Sequence, residues 1–214
     1  MSTSTLTKFE HACVTIAREG RTLLVDPGVF TPTAADLLAT ADAVLITHDH
    51  PDHLDVDAVR AALAARPGLP LHAPAAVAAL VGEDLAERVT VVEPGDAFAV
   101  AGYEVRAVGG RHAVIHPDLP EMSNVGFLVE GIYHPGDSYV VPDAEVDTLL
   151  LPTSGPWTKT GEAADFVRAV RPRRSVQIHD AMLSDLGRGA MSSFLGTDGL
   201  TGVPLLSPAP GEVV

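Results

Sequence analysis

Three histidines and an aspartate lie within six residues, at His48, His50, Asp52 and His53. They follow an apolar run, residues 43–47, that is typical of a strand. Because side chains alternate across a strand, His48 and His50 converge only if the chain leaves the sheet after Thr47, and Pro51 favours such a turn. This pattern predicts a metal-binding loop rather than a solvated polar loop.

The spacing allows one loop to serve two metal ions. His48 and His50 would bind one ion through imidazole nitrogens, and Asp52 and His53 would bind a second about 3.5 to 4 Å away. Two cations that bridge a water molecule lower its pKa from about 15.7 toward about 7. The pattern therefore predicts hydrolysis by a metal-bound hydroxide, without a serine or cysteine nucleophile.

The run from His48 to His53 matches the pattern HxHxDH, and with it the sequence resembles the metallo-β-lactamase-fold hydrolases. This resemblance implies three later ligands, each in a loop after a strand, at His112, Asp137 and His179. His116 lies in the same loop as His112 and is the alternative candidate for this ligand position. The tripeptide Pro-Gly-Asp that contains Asp137 also occurs at residues 94–96, where a turn between two strands explains it.

The resemblance implies a centre with two sites and one shared ligand: His48, His50 and His112; Asp52, His53 and His179; and Asp137 between them. The expected cofactors are two divalent metal ions. Zinc is the first expectation and manganese the alternative, because imidazole and carboxylate ligands accept several first-row metals. The predicted catalytic residues are Asp52, as a proton acceptor or relay, and His134, as a substrate-facing or supporting group.

Five further residues are candidates for supporting roles. Lys159 and Arg111 would bind a substrate carboxylate or phosphate, unless they are solvated basic side chains. The resemblance places His11 at the border of the site. Asp49 and Asp180, by adjacency, would either orient the ligand imidazoles or cap local turns.

Shorter motifs resemble the small branch related to ascorbate-6-phosphate lactonase: HAxVxI at 11–16, VDPG at 25–28, NVGFLV at 124–129, YHPGDS at 133–138 and IHDAMLS at 178–184. This likeness implies a small lactone or ester as the substrate. A small-molecule phosphodiesterase with the same binuclear centre is the alternative. A metal-binding protein without catalysis is the third hypothesis, which the complete ligand set disfavours.

The expected fold class is α/β, a four-layer αββα sandwich of two mixed sheets with helices outside. A chain of 214 residues that is 46% hydrophobic can bury one large core. We expect one domain over residues 1–206 and a mobile tail over 207–214. Residues 8–16 and 21–26 are predicted to be paired strands. Helices are predicted from Asp55 to about residue 65, and from Thr160 or Gly161 to about residue 170.

A net charge of -14 disfavours a nucleic-acid partner, because such binding depends on Lys and Arg neutralising phosphates. No apolar run is long enough for a membrane span, and the first residues lack the pattern of a signal peptide. We therefore expect a cytoplasmic protein with a small-molecule substrate, no nucleic acid and no membrane, and a homo-oligomer is compatible with the sequence. The single cysteine, Cys13, is expected to be a small buried residue.

Overall fold

The computed structural model describes residues 4–214. These residues form two seven-stranded sheets that pack face to face, with five α-helices on the outer faces. Both sheets are mixed, since each contains parallel and antiparallel pairs. The predicted sandwich of two mixed sheets with helices outside is confirmed. Within residues 4–214, no helix is long and apolar enough to cross a membrane.

The first sheet contains both the amino-terminal strands and the last strand of the chain. Its strands are β1 (Thr5–Lys8), β2 (Val14–Arg18), β3 (Arg21–Val25), β4 (Ala43–Leu45), β5 (Leu71–Ala73), β6 (Val89–Val91) and β14 (Glu212–Val213). Their order across the sheet is β14-β1-β2-β3-β4-β5-β6. Three helices cover its outer face: α1 (Ala34–Thr40), α2 (Val56–Ala65) and α3 (Ala75–Val81).

The second sheet is built from the remaining strands in sequence order. They are β7 (Ala97–Val100), β8 (Tyr103–Gly109), β9 (Val125–Val129), β10 (Ile132–His134), β11 (Thr148–Pro152), β12 (Arg174–Ile178) and β13 (Leu205–Leu206). The pairs β7–β8, β8–β9 and β9–β10 are antiparallel, and the pairs β10–β11, β11–β12 and β12–β13 are parallel. Helices α4 (Thr160–Val170) and α5 (Asp185–Leu195) cover the outer face.

Three apolar layers hold these elements together. The layer between the sheets includes Ile16, Leu45, Phe127 and Leu150. The other two layers lie between each sheet and its helices. Strands β9 and β11 are buried along their whole length, which explains their continuous apolar sequences.

Both predicted helices are present at their predicted positions. Helix α2 begins after Asp55, whose side chain accepts a hydrogen bond from the backbone N–H of Ala58 at 3.0 Å. Helix α4 ends at Val170, shortly before Pro172. The start of α2 is important for the site, because it fixes the loop that carries His48 to His53.

The prediction of one strand over residues 8–16 is wrong. Strand β1 ends at Lys8, the chain turns with a hydrogen bond from Phe9 N–H to the Cys13 carbonyl at 2.8 Å, and β2 begins at Val14. The turn carries His11 in a left-handed conformation, with φ of 58°. Because the turn itself is buried, its residues keep an apolar pattern that resembles a strand.

The segment predicted to be a mobile tail, residues 207–214, contains backbone hydrogen bonds to the first sheet. The backbone N–H groups of Gly211 and Val214 donate to the carbonyls of Lys8 and Leu6 at 2.7 and 2.9 Å. Strand β14 pairs with β1, which would otherwise be the edge of the first sheet. The free hydrogen-bonding groups of an edge strand explain why a polar, proline-containing segment is ordered there.

Replacing Leu150 with alanine tests the layer between the sheets. Leu150 is fully buried there, so Leu150→Ala should lower the free energy of unfolding by about 2 to 5 kcal/mol. Urea denaturation of Leu80→Ala is the matched control, because Leu80 lies on the exposed face of α3 and should change stability by about 0.5 kcal/mol or less. Equal losses in the two variants would contradict this packing.

Candidate metal centre

The seven predicted ligands lie together at the carboxyl ends of strands. They form two groups with one further histidine: His48, His50, His112 and Asp137; and His11, Asp52, His53 and His179. Within each group, one ligand atom per residue lies within 4.8 Å of the others. The structure thus provides two candidate metal sites that share one cleft.

Separate strands supply the four parts of this centre. His48 to His53 follow β4, and His112 lies in the loop between β8 and β9. Asp137 follows β10, and His179 immediately follows β12. The two sheets therefore bring together residues that are far apart in the sequence.

The spacing in the first group suits a single ion. His48 Nε2 lies 3.1 Å from His50 Nδ1, and His112 Nε2 lies 3.2 Å from Asp137 Oδ2. A tetrahedral ion with ligand bonds of about 2.0 to 2.1 Å separates its ligands by about 3.3 Å. The ligand atoms are thus already near the separation that a bound ion requires.

Asp137 lies between the two groups. Its Oδ2 is 3.2 Å from His179 Nε2, the same distance as from His112 Nε2, and its Oδ1 is 3.0 Å from His53 Nε2. In the second group, His179 Nε2 lies 3.3 Å from Asp52 Oδ2. Asp137 is thus the carboxylate that lies beside histidines of both groups.

Three buried atoms of the centre have no hydrogen-bond partner among residues 4–214: His53 Nε2, His179 Nε2 and Asp137 Oδ1. An unsatisfied buried polar atom costs about 1 to 3 kcal/mol. All three atoms are of types that bind divalent metals, and all three residues belong to the two ligand groups. The donor set therefore fits two metal ions.

Backbone carbonyls fix the orientation of two ligand imidazoles. His112 Nδ1 lies 2.6 Å from the carbonyl of Ala113, and His179 Nδ1 lies 2.6 Å from the carbonyl of Ser154. Because a carbonyl only accepts hydrogen bonds, each Nδ1 must carry the proton. The Nε2 lone pairs of both rings are then free to bind a metal.

Asp26 plays the same part for His53 and, through Thr47, for His48. Its carboxylate accepts from Thr47 N–H and Thr47 Oγ1–H, both at 2.8 Å, and lies 2.7 Å from His53 Nδ1. The Thr47 hydroxyl, having donated its proton, accepts from His48 Nδ1 at 2.9 Å. One buried carboxylate thus sets the tautomers of two ligands.

Sequence reasoning missed this role of Asp26. The residue belongs to the VDPG motif, which was used only as a sign of resemblance. A carboxylate that directly follows the apolar strand β3 is the signal that could have identified it. In place of Asp26, the sequence suggested Asp49 and Asp180, and neither hydrogen-bonds a ligand imidazole among the described residues.

Trp157 and Asn124 hold Asp137 and were also missed. Trp157 Nε1–H donates to Asp137 Oδ2 at 2.9 Å, and Asn124 Oδ1 accepts from Asp137 N–H at 2.9 Å. Gly136 has φ of 62°, and a Cβ at this position would clash with Asn124 Oδ1. Only glycine therefore allows the turn that presents Asp137 to the centre.

His11 supports the centre in a different way from the ligands. Its Nδ1 accepts a hydrogen bond from Ala181 N–H at 3.3 Å, so the proton of the neutral ring is on Nε2. Nε2 lies 2.9 Å from Asp52 Oδ2 and donates to it. Burial lowers the pKa of His11, which favours this neutral form. His11 thus holds Asp52 in place and offers no lone pair at Nε2.

The carboxylates of the centre are ionised. Burial would raise the pKa of Asp137, but His53, His112 and His179 outweigh it and hold that pKa well below its ordinary value. Burial lowers the pKa of His179, yet the nearby carboxylates of Asp137 and Asp52 raise it to about 9. Asp137 and Asp26 likewise raise the pKa of His53 well above its ordinary value, against the effect of burial. The carboxylates and imidazoles of the centre thus stabilise each other's charged forms.

His134 was predicted to be a substrate-facing or supporting group, and its contacts suit a supporting position. Its Nε2 donates to the carbonyl of Ala12 at 2.8 Å, and its Nδ1 accepts from Gly136 N–H at 3.1 Å. Both nitrogens are thus used by backbone groups, and the ring is buried. His134 instead connects the turn before β2 to the turn that carries Asp137.

The two basic candidates and the rival histidine lie at the surface. Arg111 pairs with Glu121 at 3.1 Å, and Lys159 pairs with Glu162 at 2.8 Å. The side chain of His116 is 63% exposed and takes no part in either ligand group. His112, rather than His116, is therefore the histidine that this loop brings to the centre.

The fold and this centre define a metal-dependent hydrolase of the β-lactamase superfamily, because residues 5–179 match the family model described as a beta-lactamase superfamily domain. Within it, the chain belongs to the UPF0173 metal-dependent hydrolase family. A UPF0173 metal-dependent hydrolase of Thermococcus onnurineus is 30% identical over 185 residues, which cover 79% of this chain and 81% of the relative.

Two further similarities extend over most of the chain. Protein Rv0786c of Mycobacterium tuberculosis is 42% identical over 191 residues, covering 86% of this chain and 87% of that protein. The structure of Igni18, a metallo hydrolase from Ignicoccus hospitalis, superposes with a TM-score of 0.70 at 22% identity, covering 99% of this chain and 97% of Igni18. The latter likeness supports the fold.

Replacing Asp26 with asparagine tests the orientation of His53 and His48. His53 Nδ1–H and the Thr47 hydroxyl both donate to the Asp26 carboxylate, and the NH2 group of an asparagine cannot accept these hydrogen bonds. Asp26→Asn should therefore weaken metal binding about 10- to 100-fold. Competition with a chelator measures this affinity. The matched control is Asp42→Asn, a carboxylate that pairs with Arg21 far from the centre. Unchanged affinity in Asp26→Asn would remove this role.

Proposed function

We propose that the centre binds two divalent cations and that the protein hydrolyses a small lactone or a related ester. The observation that carries this proposal is the position of Asp137, a buried carboxylate between the imidazoles of His112 and His179. A carboxylate shared in this way suits a pair of ions better than a single one. Zinc is the first candidate and manganese the second, given five imidazoles and two carboxylates.

Bound divalent cations would supply a water molecule of lowered pKa and would polarise the carbonyl oxygen of the ester. The residues of the chain hold this arrangement in place. Backbone carbonyls and Asp26 bind the Nδ1 atoms of His112, His179 and His53, so that Nε2 of each ring faces the centre, and Trp157 and Asn124 hold Asp137. The centre is thus organised before a substrate arrives, which lowers the cost of reorganisation during the reaction.

Asp52 is the carboxylate of the centre that a substrate can reach. Its side chain is 22% exposed, whereas that of Asp137 is buried. Burial would raise the pKa of Asp52, but the hydrogen bond from His11 and the nearby imidazoles of His179 and His53 lower it well below its ordinary value. A group of such low basicity passes a proton on rather than keeping it, so we assign Asp52 the relay of a proton to the leaving group.

The charges around the centre favour an ester over a phosphodiester or a phosphorylated lactone. Phosphate is usually bound by Arg or Lys. Among the described residues beside the cleft, Arg111, Lys159 and Lys8 each pair with a carboxylate of the chain, and the net charge is -14. Hydrolysis of a phosphodiester or of a phosphorylated lactone is therefore the second candidate.

Two neighbouring histidines provide a matched test of the metal centre. His112→Ala should lower the metal content of the purified protein below about two ions per chain and reduce ester hydrolysis at least about 100-fold. His116→Ala, in the same loop but outside both ligand groups, should change neither quantity. Elemental analysis and turnover of lactones, carboxylic esters and phosphodiesters are measured on the same samples.

The outcomes separate the hypotheses. About two ions per chain with turnover of esters supports the proposal, and preferred turnover of phosphodiesters would favour the second candidate. Full metal content without turnover of any member of the panel would favour the non-catalytic hypothesis. Loss of metal in His116→Ala but not in His112→Ala would overturn the ligand assignment.

Replacing the shared ligand Asp137 with alanine should cause the loss of both ions together. Asp137→Ala removes a group that contacts both halves of the centre, whereas His179→Ala removes a ligand from the second group alone. We expect the first variant to retain less metal than the second. Elemental analysis after dialysis measures this difference, and equal retention would argue against a bridging Asp137.

A further inference from the structure

A pocket of about 360 Å³ lies in the loop between β8 and β9. His112 is the one predicted metal ligand among the residues that line it. The volume of the pocket is within the range of small-molecule sites. Most of its walls are apolar: Val114, Ile115, Pro117, Leu119, Pro120 and Met122. The pocket therefore offers a surface for an aliphatic group.

The pocket begins at the first ligand group. His112 forms part of its wall, and Met122, on the same wall, places its Sδ 3.1 Å from His50 Nε2. The backbone N–H of His112 also donates to the carbonyl of Met122 at 3.0 Å, which closes the base of the loop. A molecule in this pocket would therefore extend directly from the ligands of the candidate metal site.

The charges in the pocket compensate each other. Arg111 pairs with Glu121 at 3.1 Å, and both belong to the lining. His116 Nδ1 accepts a hydrogen bond from the backbone N–H of Asp118. The residues that line the pocket thus provide no cation without a nearby carboxylate, so an anionic group gains little there.

Two large apolar side chains of the lining are exposed to water. Val114 is 71% exposed and Leu119 is 51% exposed. Covering such surface is favourable by about 25 cal/mol per Å², so an aliphatic occupant would be stabilised by contact with both residues. Neutral charge, apolar walls and direct continuity with His112 point to the same kind of occupant.

We propose that this pocket binds the aliphatic chain of the substrate, so that the preferred substrates are uncharged lactones or esters with a medium-length alkyl or acyl chain. This inference rests on the proposed ester hydrolysis and names its substrate class. Hydrolysis joins the oxygen of water to the carbonyl carbon and breaks the bond to the alkoxy oxygen. The alkoxy oxygen takes one proton, and the carboxylic acid releases the other to solvent.

A chain-length series tests the pocket. The substrates are 4-nitrophenyl acetate, butyrate, hexanoate and octanoate, and the zinc-loaded protein is used. Because each buried methylene contributes about 0.8 kcal/mol, kcat/KM should rise about two- to fourfold per methylene. In Leu119→Ser, the ratio of kcat/KM for octanoate to that for acetate should fall about three- to tenfold.

Leu80→Ser is the matched control. Leu80 is 48% exposed, close to the value for Leu119, but it lies on α3 and outside the pocket. The octanoate-to-acetate ratio of this variant should equal that of the wild type. A wild-type ratio near one, or an equal fall in both variants, would overturn the pocket assignment while leaving ester hydrolysis established.

A binding measurement separates failure of the pocket from failure of the hydrolase. Trp157 is the only tryptophan of the chain, and its ring lies 6.0 Å from that of His112, so its fluorescence can report on binding of n-alkanols from butanol to octanol. If the affinity for alkanols increases with chain length in the wild type, and increases less in Leu119→Ser, the pocket assignment is supported even without turnover of any ester. Length-independent binding would contradict it.

Two other results would assign this surface to a different occupant. If Leu119→Ser altered only the molecular mass in solution, and not the chain-length ratio, the exposed residues would belong to a contact between copies of the chain. If phosphorylated esters were preferred over aliphatic ones at equal chain length, the pocket would bind an anionic substrate. Either result would overturn the proposal.

Discussion

The arrangement of the centre depends on the burial of one carboxylate, that of Asp137. A buried carboxylate is costly unless positive charge or hydrogen-bond donors surround it. Here Trp157 Nε1–H and the imidazoles of His53, His112 and His179 provide that environment. Each of these groups comes from a different part of the chain, so Asp137 has this environment only in the folded sandwich.

Backbone conformation is part of the same arrangement. His11, Asp26 and His179 have left-handed backbone conformations, with φ of 58°, 50° and 54°. Such conformations cost about 1 to 3 kcal/mol each in residues other than glycine and persist only where the surroundings enforce them. The hydrogen bond from His179 N–H to the His11 carbonyl, at 2.9 Å, ties two of the three together. Three of the seven residues other than glycine with positive φ among residues 4–214 thus lie at the centre.

The imidazoles of the centre have divided roles that their shared residue type does not reveal. In His112 and His179, a carbonyl fixes the proton on Nδ1 and leaves Nε2 free. In His11 and His134, a backbone N–H donates to Nδ1, so Nε2 becomes a donor. The first pair can bind a cation, while the second pair holds Asp52 or the backbone. Hydrogen-bond partners, and not proximity alone, separate the ligands from the supporting residues.

The sequence by itself determined the pattern His48 to His53, the sandwich fold, the two helices around the site and the later candidates His112, Asp137 and His179. The loop and the helices follow from local spacing, turn residues and apolar periodicity, which are visible in a linear chain. The fold and the three later candidates follow from the resemblance that this loop carries. Only the tertiary structure decided the roles of Asp26, His11, Trp157 and His134, the turn between β1 and β2, and the pairing of β14. The physical reason is that a hydrogen-bond partner, and the tautomer it imposes, is supplied by residues distant in sequence that meet only when the two sheets pack together.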